Sequence, residues 1–153
     1  MYKVLFVCHG NICRSPMAEF VFRDMVEKRG LSDKIMTASA ATSTEEIGNP
    51  VHRGTRQQLV SRGINPDGKR AVRLTKADYD KYDYLVGMDR ANIRNMKSMT
   101  GGEDKIYKLL SFAGIDRDVA DPWYTGDFDE TYRDVVTGCA ALLERIEGEI
   151  NGN

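Results

Sequence analysis

Apolar and polar positions alternate along the chain in two rhythms, one of strands and one of helices. Val4-Leu5-Phe6-Val7 is an unbroken apolar run, as in a strand buried on both faces, and Cys8 to Ser15 after it is polar and contains glycine. Ser15-Pro16 then reads as a helix start with proline at the first position. Val21, Phe22, Met25 and Val26 recur at helical spacing until Gly30 ends the run. Lys34 to Ala38 predicts a second short strand leading to a small-residue turn at Ser39-Ala40-Ala41. Gly48-Asn49-Pro50 breaks the chain before a helix from Thr55 to Arg62, closed by Gly63, and the turn-rich, basic stretch Asn65 to Arg73 reads as loop. Tyr84 to Met88 predicts a third strand, Asp89 caps a helix carrying Ile93 and Met96, and Gly101-Gly102 precede a last strand near Lys105 to Tyr107. A long excursion, Ser111 to Asp129, leads to a final helix with Tyr132, Val135, Val136, Cys139, Leu143, Ile146 and Ile150 on one stripe, which makes Cys139 a core residue.

Strands separated by helices imply parallel pairing with right-handed crossovers, so the predicted fold is an α/β three-layer sandwich around a four-stranded parallel sheet. In such sheets ligands bind beyond the carboxyl ends of the strands, where Cys8 lies. The 153 residues are expected to form a single domain, 1–153. A net charge of -1 offers no overall field for nucleic acid or a membrane, so any attraction for anions must be local. The apolar run after Met1-Tyr2-Lys3 is too short for a signal peptide, no stretch reaches membrane-spanning length, and three cysteines suit reduced thiols; a cytoplasmic location is expected.

The loop between the first strand and first helix carries the chemistry. Cys8 opens it and Arg14 closes it, and a strand-to-helix loop gathers backbone N–H groups, a helix dipole and the Arg14 fork into a concavity suited to a tetrahedral oxyanion. A thiol placed there favours its thiolate, which is the nucleophile. Ser15 caps the helix and has a hydroxyl to offer the sulfur, and Asn11 tolerates the left-handed backbone that a tightly curled loop needs. Cys8, His9 and Cys13 suggest a metal site, but His52 is the only other histidine and too few ligands remain for zinc. Asp121-Pro122, read alone, is a turn, with Asp118, Asp127 and Asp129 nearby as rival carboxylates.

The motif Cys8-His9-Gly10-Asn11-Ile12-Cys13-Arg14-Ser15-Pro16 resembles that of the low-molecular-weight protein tyrosine phosphatases. Ser39-Ala40-Ala41-Thr42-Ser43, Ile47-Gly48-Asn49-Pro50, Met88-Asp89 and Asp121-Pro122-Trp123-Tyr124 extend the resemblance, in the family's order, over nearly the whole chain. The resemblance implies strand order 2-1-3-4 and a phosphate-binding loop running from Cys8 through Ser15. It also implies hydrolysis of phosphotyrosine monoesters through a cysteinyl-phosphate, with Cys8, Arg14 and Asp121 as catalytic residues and Asp121 as the general acid. Ser39 would hold the Asn11 side chain, and no metal or organic cofactor is required. His9, Ile12, Glu45, Asp89, Trp123 and Tyr124 would wall a slot for the phenyl ring. Glu45 departs from the pattern, standing where an aromatic residue is frequent, and ordinary packing is the lesser alternative for Trp123 and Tyr124. Cys13, five residues after Cys8, is a candidate redox partner for it.

The partners expected are tyrosine-phosphorylated proteins or peptides, with phosphate and related oxyanions as inhibitors, acting on a monomer. Three alternatives share parts of this pattern. Arsenate reductases relay oxidation through further cysteines, whereas this chain has only Cys139 downstream. Protein-arginine phosphatases have threonine where this chain has Ile12. A non-catalytic phosphotyrosine-binding module would lack the nucleophile or the acid, and Cys8, Arg14 and Asp121 are all present.

Overall fold

The computed structural model describes residues 1–152. Strand β1 (Tyr2–Cys8) leads through the loop into α1 (Arg14–Lys28), followed by β2 (Ile35–Ala41), α2 (Arg53–Val60) and the one-turn α3 (Asp78–Lys81). Then come β3 (Tyr84–Gly87), α4 (Arg90–Thr100), β4 (Ile106–Lys108), a 3-10 turn (Leu109–Ala113), the one-turn α5 (Pro122–Thr125) and α6 (Phe128–Gly152). The sheet has the order β2-β1-β3-β4 and every pair is parallel, the order that the resemblance implied.

The unbroken apolar run of β1 reflects burial on both faces. Val4 and Phe6 join the cluster formed with α1 and α6, whereas Leu5 and Val7 join Leu85, Met96 and Ile106 on the opposite face. Helices α1, α2 and α6 pack together on the first side, and α4 lies against β3 and β4. Cys139 is fully buried in the larger cluster, as its stripe on α6 predicts.

Several boundaries differ from the sequence reading for local reasons. Ser39-Ala40-Ala41 is strand, because pairing with Phe6, Val7 and Cys8 carries β2 to the end of β1 despite the small side chains. Helix α1 starts at Arg14 with Cys13 at its cap position, so Ser15 lies inside the first turn instead of capping it and Pro16 is the third residue; the first-turn N–H groups have no helical partner, and proline costs nothing there. Helix α2 begins two residues before Thr55, with His52 as its cap. The long excursion contains a 3-10 turn and α5, and α6 already begins at Phe128. Asn65 to Arg73 is largely loop, touching its neighbours through isolated bridges at Arg70 and Arg73.

Candidate active site

The loop from Cys8 to Ser15 lies at the carboxyl end of β1, held from outside through its carbonyls. Thr42 N–H donates to Cys8 O at 3.0 Å, Ser43 N–H to His9 O at 3.0 Å and His52 N–H to Ile12 O at 2.8 Å. The Thr55 hydroxyl donates to Cys13 O at 3.0 Å. With its carbonyls engaged on that side, the loop can offer its amides to the concavity. Asn11 is the one described non-glycine residue with positive φ, 59°, as a loop curled this tightly requires.

Three donors converge on the Cys8 sulfur: the Ser15 hydroxyl at 3.0 Å, Asn11 N–H at 3.3 Å and Ser15 N–H at 3.4 Å. Their polarity follows from a buried chain of hydrogen bonds. Asn11 Oδ1 accepts from Val72 N–H at 3.1 Å, which turns the Asn11 amide nitrogen toward Ser15 Oγ at 2.8 Å and Ser39 Oγ at 2.9 Å. Ser39 in turn donates to the Glu19 carboxylate at 2.5 Å. Since Ser15 Oγ accepts from Asn11, its own proton is directed at Cys8 Sγ, where it favours the charged sulfur. Asn11, Ser15, Ser39 and Glu19 are all buried. Arg23 at 2.6 Å and Lys69 at 3.7 Å neutralise Glu19, and burial pushes the Lys69 amino group below its ordinary pKa against the pull of Glu19. The Asn11–Ser39 contact was expected from the resemblance, whereas Glu19, Lys69 and Val72 were not singled out in the sequence.

Arg14 is buried, and Nη1 donates to Asp89 Oδ2 at 2.8 Å and to Val119 O at 2.9 Å. Nη2 faces Asp121 Oδ2 at 3.4 Å. Burial works against the charge on Arg14, but the Cys8 and Asp121 charges and the hydrogen bond that Arg14 donates to Asp89 outweigh it and raise its pKa. Asp89 does not line the cleft. It braces Arg14 from behind and caps α4, accepting from Asn92 N–H at 2.7 Å. Asp121 caps α5 by accepting from Trp123 N–H at 3.0 Å, so one carboxyl oxygen is tied to the helix and the other faces the arginine.

These groups open into a cleft of about 100 Å³ lined by the loop, Glu45, Glu46, Asp121, Trp123 and Tyr124. Trp123 and Tyr124 are 58% and 85% exposed, so they stand at the mouth instead of packing in the core. Glu45, also exposed, meets His9 Nε2 at 2.9 Å across the rim. Glu46 lies over Gly10, where a Cβ would sit 3.4 Å from its side chain; adjacency to Glu45 was the only sequence signal for it. Cys13 is a free, buried thiol whose pKa is pushed up to about 12, chiefly by burial and then by the Cys8 and Asp121 charges. Among the described residues no group of three or more His, Cys, Asp or Glu is arranged to hold a metal ion, and no helix is long and apolar enough to cross a membrane.

A thiol, an arginine fork and a carboxyl group lining one cleft form a constellation for attack on a tetrahedral oxyanion ester, and comparison with known proteins points the same way. The Bacillus subtilis low molecular weight protein-tyrosine-phosphatase YfkJ is 45% identical over 97% of this chain and 98% of its own. The YfkJ crystal structure superposes with a TM-score of 0.94 over 97% of this chain and 96% of that one. The Streptococcus pyogenes low molecular weight protein tyrosine phosphatase SP-PTP gives a TM-score of 0.85 at 47% identity, covering 95% and 93% of the two chains. A Drosophila arginine phosphatase gives 0.87 at 28% identity, covering 94% and 97%. Residues 3–151 match the profile described as low molecular weight phosphotyrosine protein phosphatase, and with so much of the chain matched, the protein belongs to that family.

Proposed function

We propose that this protein hydrolyses phosphotyrosine monoesters in two steps. Cys8 Sγ attacks phosphorus in line, so that an S–P bond forms as the bond to the phenolic oxygen breaks, and Asp121 as a carboxylic acid gives that oxygen its proton. Water then attacks the cysteinyl-phosphate while the Asp121 carboxylate takes its proton, releasing inorganic phosphate and the Cys8 thiolate. Arg14 and the loop amides carry the charge on the equatorial oxygens. The arriving phosphoryl group replaces Asp121 as the partner of Arg14 Nη2, which turns the carboxyl toward the leaving oxygen.

The observation that carries this reading is the convergence of three donors on Cys8 Sγ, ordered by the Ser15–Asn11–Ser39–Glu19 chain. Cys8→Ser tests it: turnover of an aryl phosphate should be lost while phosphate and vanadate still bind, because the anion-binding loop survives. Retained phosphatase activity would sink the mechanism. Assaying phosphoarginine beside phosphotyrosine separates this substrate class from that named for the Drosophila relative; Ile12 here stands where the arginine phosphatases are expected to have threonine.

We infer further that it acts as a monomer on phosphorylated proteins or peptides in the cytoplasm. All three cysteines are free thiols, which suits a reducing compartment. A net charge of -1 gives no overall field that would attract nucleic acid.

A further inference from the structure

We infer that His52 is a positioning residue for the general acid, setting where Asp121 stands over the phosphate-binding loop; the inference rests on the acid role proposed above. His52 joins three parts of the site. Its backbone N–H donates to Ile12 O at 2.8 Å, and the first turn of the helix that it caps holds Cys13 O through Thr55. Its ring orientation is fixed, because Nδ1 accepts from Gly54 N–H at 3.0 Å and caps α2, which leaves the ring proton on Nε2.

The fixed ring then meets the acid loop. It lies edge-on to Trp123, with centroids 5.8 Å apart and planes at 76°, and stacks on Phe128 at 5.1 Å and 16°. Trp123 supplies the N–H that holds Asp121 Oδ1, and Phe128 opens α6, whose Thr131 hydroxyl donates to Ala120 O at 3.1 Å. Phe128 reaches the histidine because position 54 is glycine: a Cβ there would meet the phenyl ring at 2.5 Å. Trp123 is more than half exposed, so little else braces its outer side. The His52 ring is therefore a spacer running from the loop that bears the nucleophile to the segment that bears the acid.

A displaced acid has a distinctive kinetic effect. Proton donation contributes in proportion to how badly the leaving group needs it, so moving Asp121 by a fraction of an ångström penalises phosphotyrosine and spares an ester of a strongly acidic phenol. The quantity to follow is kcat/KM, which reports the first chemical step, for phosphotyrosine and for 2,4-dinitrophenyl phosphate.

His52→Asn keeps a good helix cap and removes the ring; it should lower kcat/KM on phosphotyrosine roughly tenfold and on the dinitrophenyl ester less than about twofold. His52→Phe keeps a ring and removes the cap; it should melt at a lower temperature with a leaving-group ratio like that of the wild type. In an Asp121→Asn background the ring deletion should have no further effect on phosphotyrosine, since the acid through which it acts is gone. Equal losses on both esters, a shifted ratio in His52→Phe, or an undiminished His52→Asn loss without Asp121 overturns the positioning role. If Asp121→Asn alone slows both esters equally, the acid role fails and the inference with it; if Asp121→Asn discriminates between the esters and His52→Asn does not, only the inference fails.

Discussion

Asn11→Ala removes the residue at which the loop's geometry and the polarity of its hydrogen bonds meet. The change deletes the two bonds from the Asn11 amide nitrogen to Ser15 and Ser39, at 2.8 and 2.9 Å, and the bond from Val72 N–H to Asn11 Oδ1 at 3.1 Å. At about 1 kcal/mol net for each, these amount to roughly 3 kcal/mol. Alanine at φ 59° adds about 1 kcal/mol of backbone strain that asparagine tolerates better. A loss of about 4 kcal/mol is within the stability of an ordinary domain, roughly 5–15 kcal/mol, so the variant should fold but melt about 8–16 °C lower. Asn11→Gly loses the same bonds without the strain and should be about 0.5–1 kcal/mol more stable than Asn11→Ala, part of its gain being offset by glycine's freedom in the unfolded chain. Asn11→Asp is the sharpest probe. It keeps the Oδ1 acceptor but sets an oxygen against Ser15 and Ser39, so the Ser15 proton turns to the new carboxylate and away from Cys8. A hydrogen bond to a charged group is worth about 1.5–3 kcal/mol, which predicts at least a tenfold fall in kcat/KM for Asn11→Asp. Guanidinium unfolding followed by circular dichroism, with kcat/KM on phosphotyrosine, checks all three variants. Asn11→Ala within about 1 kcal/mol of the wild type, or full activity in Asn11→Asp, would refute the reasoning.

Arg14→Lys should keep the fold but lower kcat/KM by about 10²–10³, because a single ammonium cannot grip Asp89 and the phosphoryl oxygens together; near-normal turnover would contradict the role of the fork. Peroxide should convert the Cys8 thiolate to a sulfenic acid, with which the Cys13 thiol should condense to give a disulfide and water; thiol reductant should then restore the wild type, whereas Cys13→Ser should be lost irreversibly. Because the Cys13 pKa is pushed up to about 12, its thiolate fraction and the rate of that condensation should rise about tenfold per pH unit from 7 to 9, and equal recovery of the two proteins at both pH values would remove the protective role. The exposed His9–Glu45 pair is worth at most about 1 kcal/mol, so a basic residue flanking phosphotyrosine can compete for Glu45. His9→Ala should sharpen a salt-sensitive preference for basic flanks and Glu45→Tyr should erase it while lowering KM, and a preference that is unchanged in both removes Glu45 from substrate selection.

What could be read in the sequence was what is local. The Val4–Val7 run, the helical spacing after Ala18 and the stripe around Cys139 are periodic, and periodicity survives into packing. The loop from Cys8 to Ser15 is continuous in the chain, so its curvature and the left-handed turn at Asn11 were legible together. Glu19 was not, because a glutamate among helix formers looks solvated; only the fold brings Lys69 and Ser39 to it. Asp89 carried two readings, a cap and a wall of the slot. The cap can be read from Asn92 three residues on, whereas the contact with Arg14 spans 75 residues. Ser39-Ala40-Ala41 looked like a turn because small residues carry little strand signal of their own; the register against β1 decided it. Asp121-Pro122 held an unread local signal, a helix cap followed by proline at the first helical position, and that signal is α5.

The central claim is that phosphate passes through a covalent bond to Cys8. Asp121→Asn mixed with a radiolabelled dinitrophenyl phosphate and quenched in denaturant within one turnover should carry the label on the peptide containing Cys8, in a linkage that releases inorganic phosphate on hydrolysis. The same quench of Cys8→Ser should be unlabelled. Release of inorganic phosphate by the parent enzyme with no labelled Cys8 peptide at any quench time would contradict the account.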